Sequence, residues 1–404
     1  MSVKLLLQEK GNIVSANRKS VLVTDGIWRK SIAVVRALAR SGVKVAIGER
    51  TWMAPGLLSR YVSKRYIYPS LENYPDKFLS WLEDVSKLNK FDVLITPEEE
   101  TSLLVAQHIN RLSSYVRIPL ARFEALTLAR NKFNLLTHAQ KMGVPCPRTL
   151  LVKKDEDIFG RAKGLSFPLV FKPIISSGGH GIRYVFTKDL LLENYREMSK
   201  KYDSFLLQEY IPGNDYFGVS VIFNDHYKMR CAFVHKKVRQ YPASGGASTC
   251  AISVKFPKLL ELVEPLLTSL SWYGSANVEF KVDERDKTPK LMEVNPHLWG
   301  SLQLAISSGI NIPCLLYQLA MKGDIQPQFE YKTGVKFRWF VYGDFMHFLT
   351  NAIDHKKFDL DVLKLYEKDS CHATWLLSDP LPFLGLPLSL LDYVISDEMK
   401  KFRT

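Results

Sequence analysis

Val278-Glu279-Phe280 and, after a short polar gap, Leu291-Met292-Glu293-Val294-Asn295-Pro296 decide the fold of this chain. The gap, Asp283 to Lys290, reads DERDKTPK; it is polar, carries Pro289 and is turn-like. The two stretches therefore read as the arms of a β-hairpin. Asn295 lies two residues past Glu293, so both side chains project from one face of a strand. Pairing about the turn puts Glu279 nearly opposite Glu293, and three oxygen donors converge. Hard cations such as Mg²⁺ take oxygen ligands of this kind and usually need a phosphate to complete the shell. Acids on a strand are also commonly its solvated face, so the hairpin gains its meaning from what precedes it.

Upstream, Pro168-Leu169-Val170-Phe171-Lys172-Pro173 is a strand that carries Lys172 near its end. It runs into the small-residue loop Ser176-Ser177-Gly178-Gly179-His180-Gly181, and Ile182 to Phe186 is the next strand. Glycines let backbone N–H groups approach phosphate oxygens and let a loop close over them, while Lys172 supplies a point charge. A plain hairpin turn would have a similar composition. The pattern G-x-x-x-x-G-K-[ST] is absent, so this is not a P-loop. Next comes Phe205-Leu206-Leu207-Gln208-Glu209-Tyr210-Ile211-Pro212-Gly213, an apolar strand entering a turn, with Asp215 close behind and a further strand from Gly218 to Phe223. A backbone edge of this sort suits an adenine ring held between apolar side chains, and Asp215 suits ribose hydroxyls.

Before these elements, Ser20 to about Arg122 alternates strand and helix patterns. Ser20 to Thr24 is a buried strand, Lys30 to Ser41 an amphipathic helix ended by Gly42, Val43 to Ile47 a strand, and Phe91 to Thr96 another. Such βαβ repetition predicts a parallel sheet with ligands beyond the carboxyl ends of its strands, where Asp25-Gly26 and Pro97-Glu98-Glu99-Glu100 lie. The turn TDGIWRKS lacks G-x-G-x-x-G, which argues against a dinucleotide domain. Thr127 to Met142 reads as one helix, and Gly143 to Pro147 as a boundary. Near the C-terminus, Val335 to Tyr342 is strand-like, and Trp375 to Ile395 reads as a packed irregular tail.

The order of these elements resembles the ATP-grasp superfamily, in its stand-alone carboxylate–amine ligase form, over Ser20 to about Gly323. The resemblance implies an α/β and α+β chain: an N-terminal parallel-sheet, Rossmann-like domain (1–122), then an ATP-grasp fold (123–324) whose lid (about 145–210) and large subdomain (about 211–324) clasp ATP. Residues 325–404 form a C-terminal extension. It implies that Lys132 and Lys172 contact ATP phosphates and that the loop with Ser176, Ser177, Gly178, Gly179 and Gly181 covers them. Gln208, Glu209, Tyr210 and Ile211 would read adenine, largely through backbone, and Asp215 would hold the ribose. Glu279, Glu293 and Asn295 would hold Mg²⁺, with Mn²⁺ as a substitute. Lys237 or Arg239 would face the γ-phosphate or acyl phosphate, and the loop Ser244 to Thr249 would lie near the acceptor site. In the run Asn295-Pro296-His297-Leu298-Trp299-Gly300, Arg is usual where this chain has His297. That departure leaves three expectations open: a protonated His297 stabilises the tetrahedral intermediate, Arg338 takes over, or activity is weakened.

The activity implied is amide or peptide bond formation from a small carboxylate and an amine, through an acyl phosphate, releasing ADP and phosphate. Two alternatives stand beside it: a carboxylase or carbamoyl-phosphate-type enzyme, and a non-catalytic ATP-binding regulator. Net charge is +14 over 404 residues, but there is no nucleic-acid-binding signature and no long Lys/Arg block, so nucleic acid is not an expected partner. Five widely spaced cysteines without a C-x-x-C pair argue against disulfides and zinc. No stretch has the apolar length of a membrane span, and the first residues have too short an apolar run for a signal peptide. A cytoplasmic enzyme fits, and a homodimer is compatible with the resemblance.

Overall fold

A computed structural model of the chain describes residues 19–176, 178–242, 245–354, 360–363 and 367–396. Val21, Leu22 and Val23 have no exposed surface, as expected for a strand covered on both faces of a parallel sheet. This strand, β1 (Ser20–Val23), is flanked by β2 (Lys44–Glu49) and β4 (Val93–Ile95), with β3 (Val62–Ile67) outside β2; the order is β3-β2-β1-β4. All three pairings are parallel. Helix Arg29–Arg40 crosses from β1 to β2 and ends at Gly42, whose φ of 80° is left-handed. Helix Pro75–Asn89 covers the other face through Phe78, Leu79, Leu82 and Val85.

The expected single helix from Thr127 to Met142 is two helices, Phe123–Arg130 and Lys132–Lys141. Asn131 breaks it. Its backbone is extended, and its side chain accepts the Asn134 N–H at 3.0 Å, an N-cap. The break matters because Lys132 then becomes the first residue of a helix, with its backbone N–H donating to Ile174 at 3.0 Å.

The lid is a four-stranded antiparallel sheet of β5 (Thr149–Lys153), β6 (Leu169–Pro173), β7 (Arg183–Val185) and β8 (Ser204–Glu209), in the order β5-β8-β6-β7. Helix Lys188–Lys201 packs Leu191, Tyr195 and Met198 against Phe171, Phe205 and Leu207.

The large sheet has seven strands: β9 (Tyr216–Phe223), β10 (Met229–Tyr241), β11 (Ala247–Ser253), β12 (Gly274–Val282), β13 (Pro289–Asn295), β14 (Lys336–Arg338) and β15 (Ser370–His372). Their order is β13-β12-β9-β10-β11-β14-β15. The C-terminal segment thus completes this sheet with its last two strands, which pair in parallel.

Two expectations for that segment need correction. The strand predicted over Val335 to Tyr342 stops at Arg338, and Phe340–Asp344 winds into a wide turn, which brings Asp344 into the core with no exposed surface. The tail predicted as irregular contains helices Leu381–Leu384 and Leu386–Ile395. Pro382 and Pro387 are in first turns, where a missing N–H costs nothing. This tail is tied to the N-terminal domain by two ion pairs, the first buried and the second partly so. Arg36 meets Asp379 at 2.8 Å and Arg50 meets Asp392 at 2.5 Å. Asp379 also accepts from the Ser59 hydroxyl and the Arg60 backbone N–H. Among the described residues no helix is long and apolar enough to cross a membrane.

Candidate active site

The β12–β13 hairpin forms as the spacing requires: Glu279 is opposite Glu293 and Asn277 opposite Asn295. The turn closes by backbone bonds between Asp283 and residues 287 and 288, with Asp283 holding Arg285 through both carboxylate oxygens. Asn295 Nδ2 lies 3.5 Å from Glu279 Oε1 and 3.3 Å from Glu293 Oε1, so the three side chains converge.

Two lysines meet this cluster. Lys237 Nζ, on β10, is 2.6 Å from Glu279 Oε2, reaching across the intervening strand β9. Position 218 on β9 is glycine, which leaves room for the His235 ring; a Cβ there would come within 2.3 Å of it. Lys132 Nζ is 3.4 Å from Glu293 Oε2 and also donates to the Ser176 carbonyl. Lys172 is buried nearby, and burial, with Lys132 adding to it, pushes its pKa down to about 7. For Glu279, burial raises the pKa against the pull of Lys237. For Glu293, burial works the same way, but Lys132 and Lys237 outweigh it and hold the carboxyl below its ordinary range.

These groups line one cavity with Ser176, Gly178, Gly179, Tyr216, Asn277, Met292 and His297. The glycine loop lies over it and touches the facing loop. A Cβ on Gly179, whose φ is 81°, would come within 1.7 Å of the Gly245 carbonyl oxygen. Ser177 and Ser244 lie outside the described residues.

A family described as "ATP-grasp in the biosynthetic pathway with Ter operon" matches residues 201–341. The D-aspartate ligase of Enterococcus faecium is 24% identical over 248 residues, 57% of this chain and 59% of that one. Among solved structures, the L-amino acid ligase from Bacillus licheniformis superposes with a TM-score of 0.60 at 19% identity, over 76% of this chain and 77% of that one. The biotin carboxylase domain of Hydrogenobacter thermophilus 2-oxoglutarate carboxylase, in complex with MgADP and bicarbonate, gives 0.64 at 16%, over 79% and 73%. Residues 201–341 thus match an ATP-grasp family, and these solved structures share the chain's fold over more than three quarters of its length. Its match spans less than two thirds of the D-aspartate ligase's length.

Not every residue expected of an ATP-grasp site lines this cavity. Gly181 packs on Pro173 instead, where a Cβ would come within 2.6 Å of the proline ring. The hinge residues Gln208, Glu209, Tyr210 and Ile211 are outside the cavity wall. Gln208 turns its amide to Thr149 at 2.6 Å, and Glu209 pairs with Arg285 at 2.5 Å. Asp215 pairs with Lys236 at 2.6 Å. Arg239 and Arg338, expected at the reacting phosphate or the acceptor, are placed away from it. Both are buried on Asp344, at 3.1 and 2.9 Å, because the wide turn after Arg338 brings that carboxylate between them. His297 does line the cavity, but burial, with Lys30 nearby, holds its pKa down to about 3, so the imidazole is neutral.

The donor set fits the cation that the ATP-grasp fold implies. Two carboxylates and an amide face one another, and amide orientation is set by its surroundings, so Asn295 can present its oxygen. Among the described residues no cluster of three or more His, Cys, Asp or Glu side chains is gathered.

Residues not singled out from sequence also line the cavity: Arg29, His235, Trp299 and Ser301. A second cavity adjoins it at Ser176 and opens onto the carboxyl ends of the parallel sheet, lined by Asp25, Glu49, Glu98, Glu99 and Arg130. There Glu98 pairs with Lys30 at 2.8 Å, and burial, with Asp25 adding to it, pushes Glu49 up to about 7.

Proposed function

We propose that the protein is an ATP-dependent carboxylate–amine ligase that forms an amide or peptide bond through an acyl phosphate. One observation carries this reading: Lys132 and Lys172 converge with Glu279, Glu293 and Asn295 in a single cavity under a glycine loop. Two cations set beside an acidic, oxygen-rich cluster suit a metal-bound polyphosphate and little else.

A substrate carboxylate attacks the γ-phosphorus of ATP in line, ADP leaves, and an acyl phosphate remains. The amine then attacks the acyl carbon and phosphate leaves. Lys132 and Lys172 neutralise charge on the phosphoryl oxygens, and the chain mainly positions and screens. Glu279, Glu293 and Asn295 would hold Mg²⁺, which when bound supplies further charge neutralisation. On nucleotide binding Lys237, now paired to Glu279, would turn toward the transferred group. The Gly178–Gly179 loop, seated on Gly245, excludes water that would hydrolyse the acyl phosphate. The ligases among its relatives support an amine acceptor. The bicarbonate-bound carboxylase domain of similar fold supports a second reading, in which bicarbonate is the acid.

ADP release with MgATP tests the reading, against pools of amino acids, amines and bicarbonate. Turnover that needs both an acid and an amine, and is abolished in Glu293→Ala, is the expected result. Turnover with bicarbonate alone as the acid would move the assignment to a carboxylase type. Tight MgATP binding with no turnover in any pool would favour a regulatory protein.

A further inference from the structure

An acid substrate at the end of this cavity needs a cation to receive its carboxylate, and the residues expected to supply one do not. His297 presents an imidazole where the resemblance leads one to expect a guanidinium. Arg239 and Arg338 are committed to Asp344. A fourth group, from a different domain, is in place. Arg29 is the first residue of helix Arg29–Arg40 and lines the cavity together with His297, Trp299 and Gly300.

Two contacts fix its guanidinium. Nε donates to the Gly300 carbonyl at 3.0 Å, and Cζ stacks 3.7 Å from the centre of the Trp339 ring. Position 300 admits it because it is glycine; a Cβ there would come within 2.0 Å of Arg29 Nη2. Among the described residues no carboxylate lies within ion-pair distance of Arg29, although Glu98 acts on it from further off, and none accepts from Nη1 or Nη2. The two terminal nitrogens are a planar fork held from behind and open in front, the geometry that matches a carboxylate with two parallel bonds. The buried indole N–H of Trp299, which lines the same cavity, also has no partner. An unpaired cation calls for an anion, and an unpaired buried N–H beside it for an acceptor.

We propose that Arg29, assisted by the Trp299 N–H, is the specificity-determining residue that receives the substrate carboxylate. This rests on the ligase reading above. It also makes the N-terminal domain part of the acceptor end of the site, so that each of the three sheets contributes a cation: Arg29 after β1, Lys172 on β6 and Lys237 on β10.

The test uses the full chain and the acid that gives ADP release in the amino-acid or bicarbonate pools. Arg29→Gln is expected to raise the KM for that acid about 10- to 100-fold, the loss of a charge-assisted pair. The KM for MgATP and the rise in Tm on adding MgADP should stay within about twofold of wild type. Arg29→Lys, which keeps the charge but not the fork, should recover part of the loss. A merely structural role would lower Tm and leave the KM for the acid unchanged, and that result would overturn the proposal. Should Arg29→Gln fail to fold, Trp299→Phe serves: a several-fold rise in the same KM supports the proposal and no change overturns it. Wild-type protein that binds MgATP but responds to no acid would overturn the ligase reading and this proposal together; a normal acid KM in the variants would overturn this proposal alone.

Discussion

Lys172 sits between two states of charge. Its amine is buried beside Lys132 and titrates at about 7 in the nucleotide-free protein, whereas triphosphate oxygens favour the protonated form. Nucleotide binding above pH 7 therefore takes up a proton, and affinity falls by at most about tenfold per pH unit as pH rises past 7. Calorimetry in buffers of different ionisation heat should show this uptake, and Lys172→Met should abolish it. Glu49 obeys the opposite logic for an acid. Its folded pKa, about 7, is above the ordinary 4.5, so the folded state holds the proton more tightly than the unfolded chain. Its contribution to stability is complete below 4.5 and is lost as pH rises through 7, up to about 3 kcal/mol. Urea midpoints between pH 4.5 and 8 should decline in the wild type and flatten in Glu49→Gln.

At the level of elements, the lid meets the facing loop at two glycines, Gly179 and Gly245. Gly179→Ala adds a Cβ where the Gly245 carbonyl stands and forces a side chain into a left-handed backbone, at about 1–2 kcal/mol from the backbone alone. ATP affinity should drop by about tenfold, and MgATP should no longer protect the loop from a protease of broad specificity such as proteinase K. The pairing of Glu279 with Glu293 was legible from sequence because strand periodicity and a short polar turn determine it locally. The break at Asn131 was not. An asparagine inside an apolar helical run looks the same whether it caps a helix or faces solvent, until Ile174 is known to meet Lys132. The pairing of Arg239 was hidden for a related reason: its partner, Asp344, lies 105 residues away. Arg29 went unnoticed because its anchor, Gly300, is 271 residues distant. Its position just past the end of β1, at the ligand edge of a parallel sheet, was the available signal.

At the scale of the whole molecule, the C-terminal tail clasps the N-terminal domain. Arg36 is 4% exposed and Asp379 1%, so removing either partner strands a buried charge. Asp379→Ala should destabilise by about 3–5 kcal/mol, whereas Arg36→Met with Asp379→Leu should cost far less; urea unfolding of the two variants separates the cases. The large sheet also depends on the C-terminal segment, since β14 and β15 form its edge and Asp344 joins Arg239 of β10 to Arg338 of β14.

The clasp bears on synthesis as well. A ribosome delivers β1 to β4 and their helices first, yet Arg36 and Arg50 meet their partners only when residues 379 and 392 emerge. Through most of translation the first domain carries two guanidiniums in surfaces shaped for a tail that has not yet been made. It is a domain that can begin folding early and can finish only once Asp379 and Asp392 have been made.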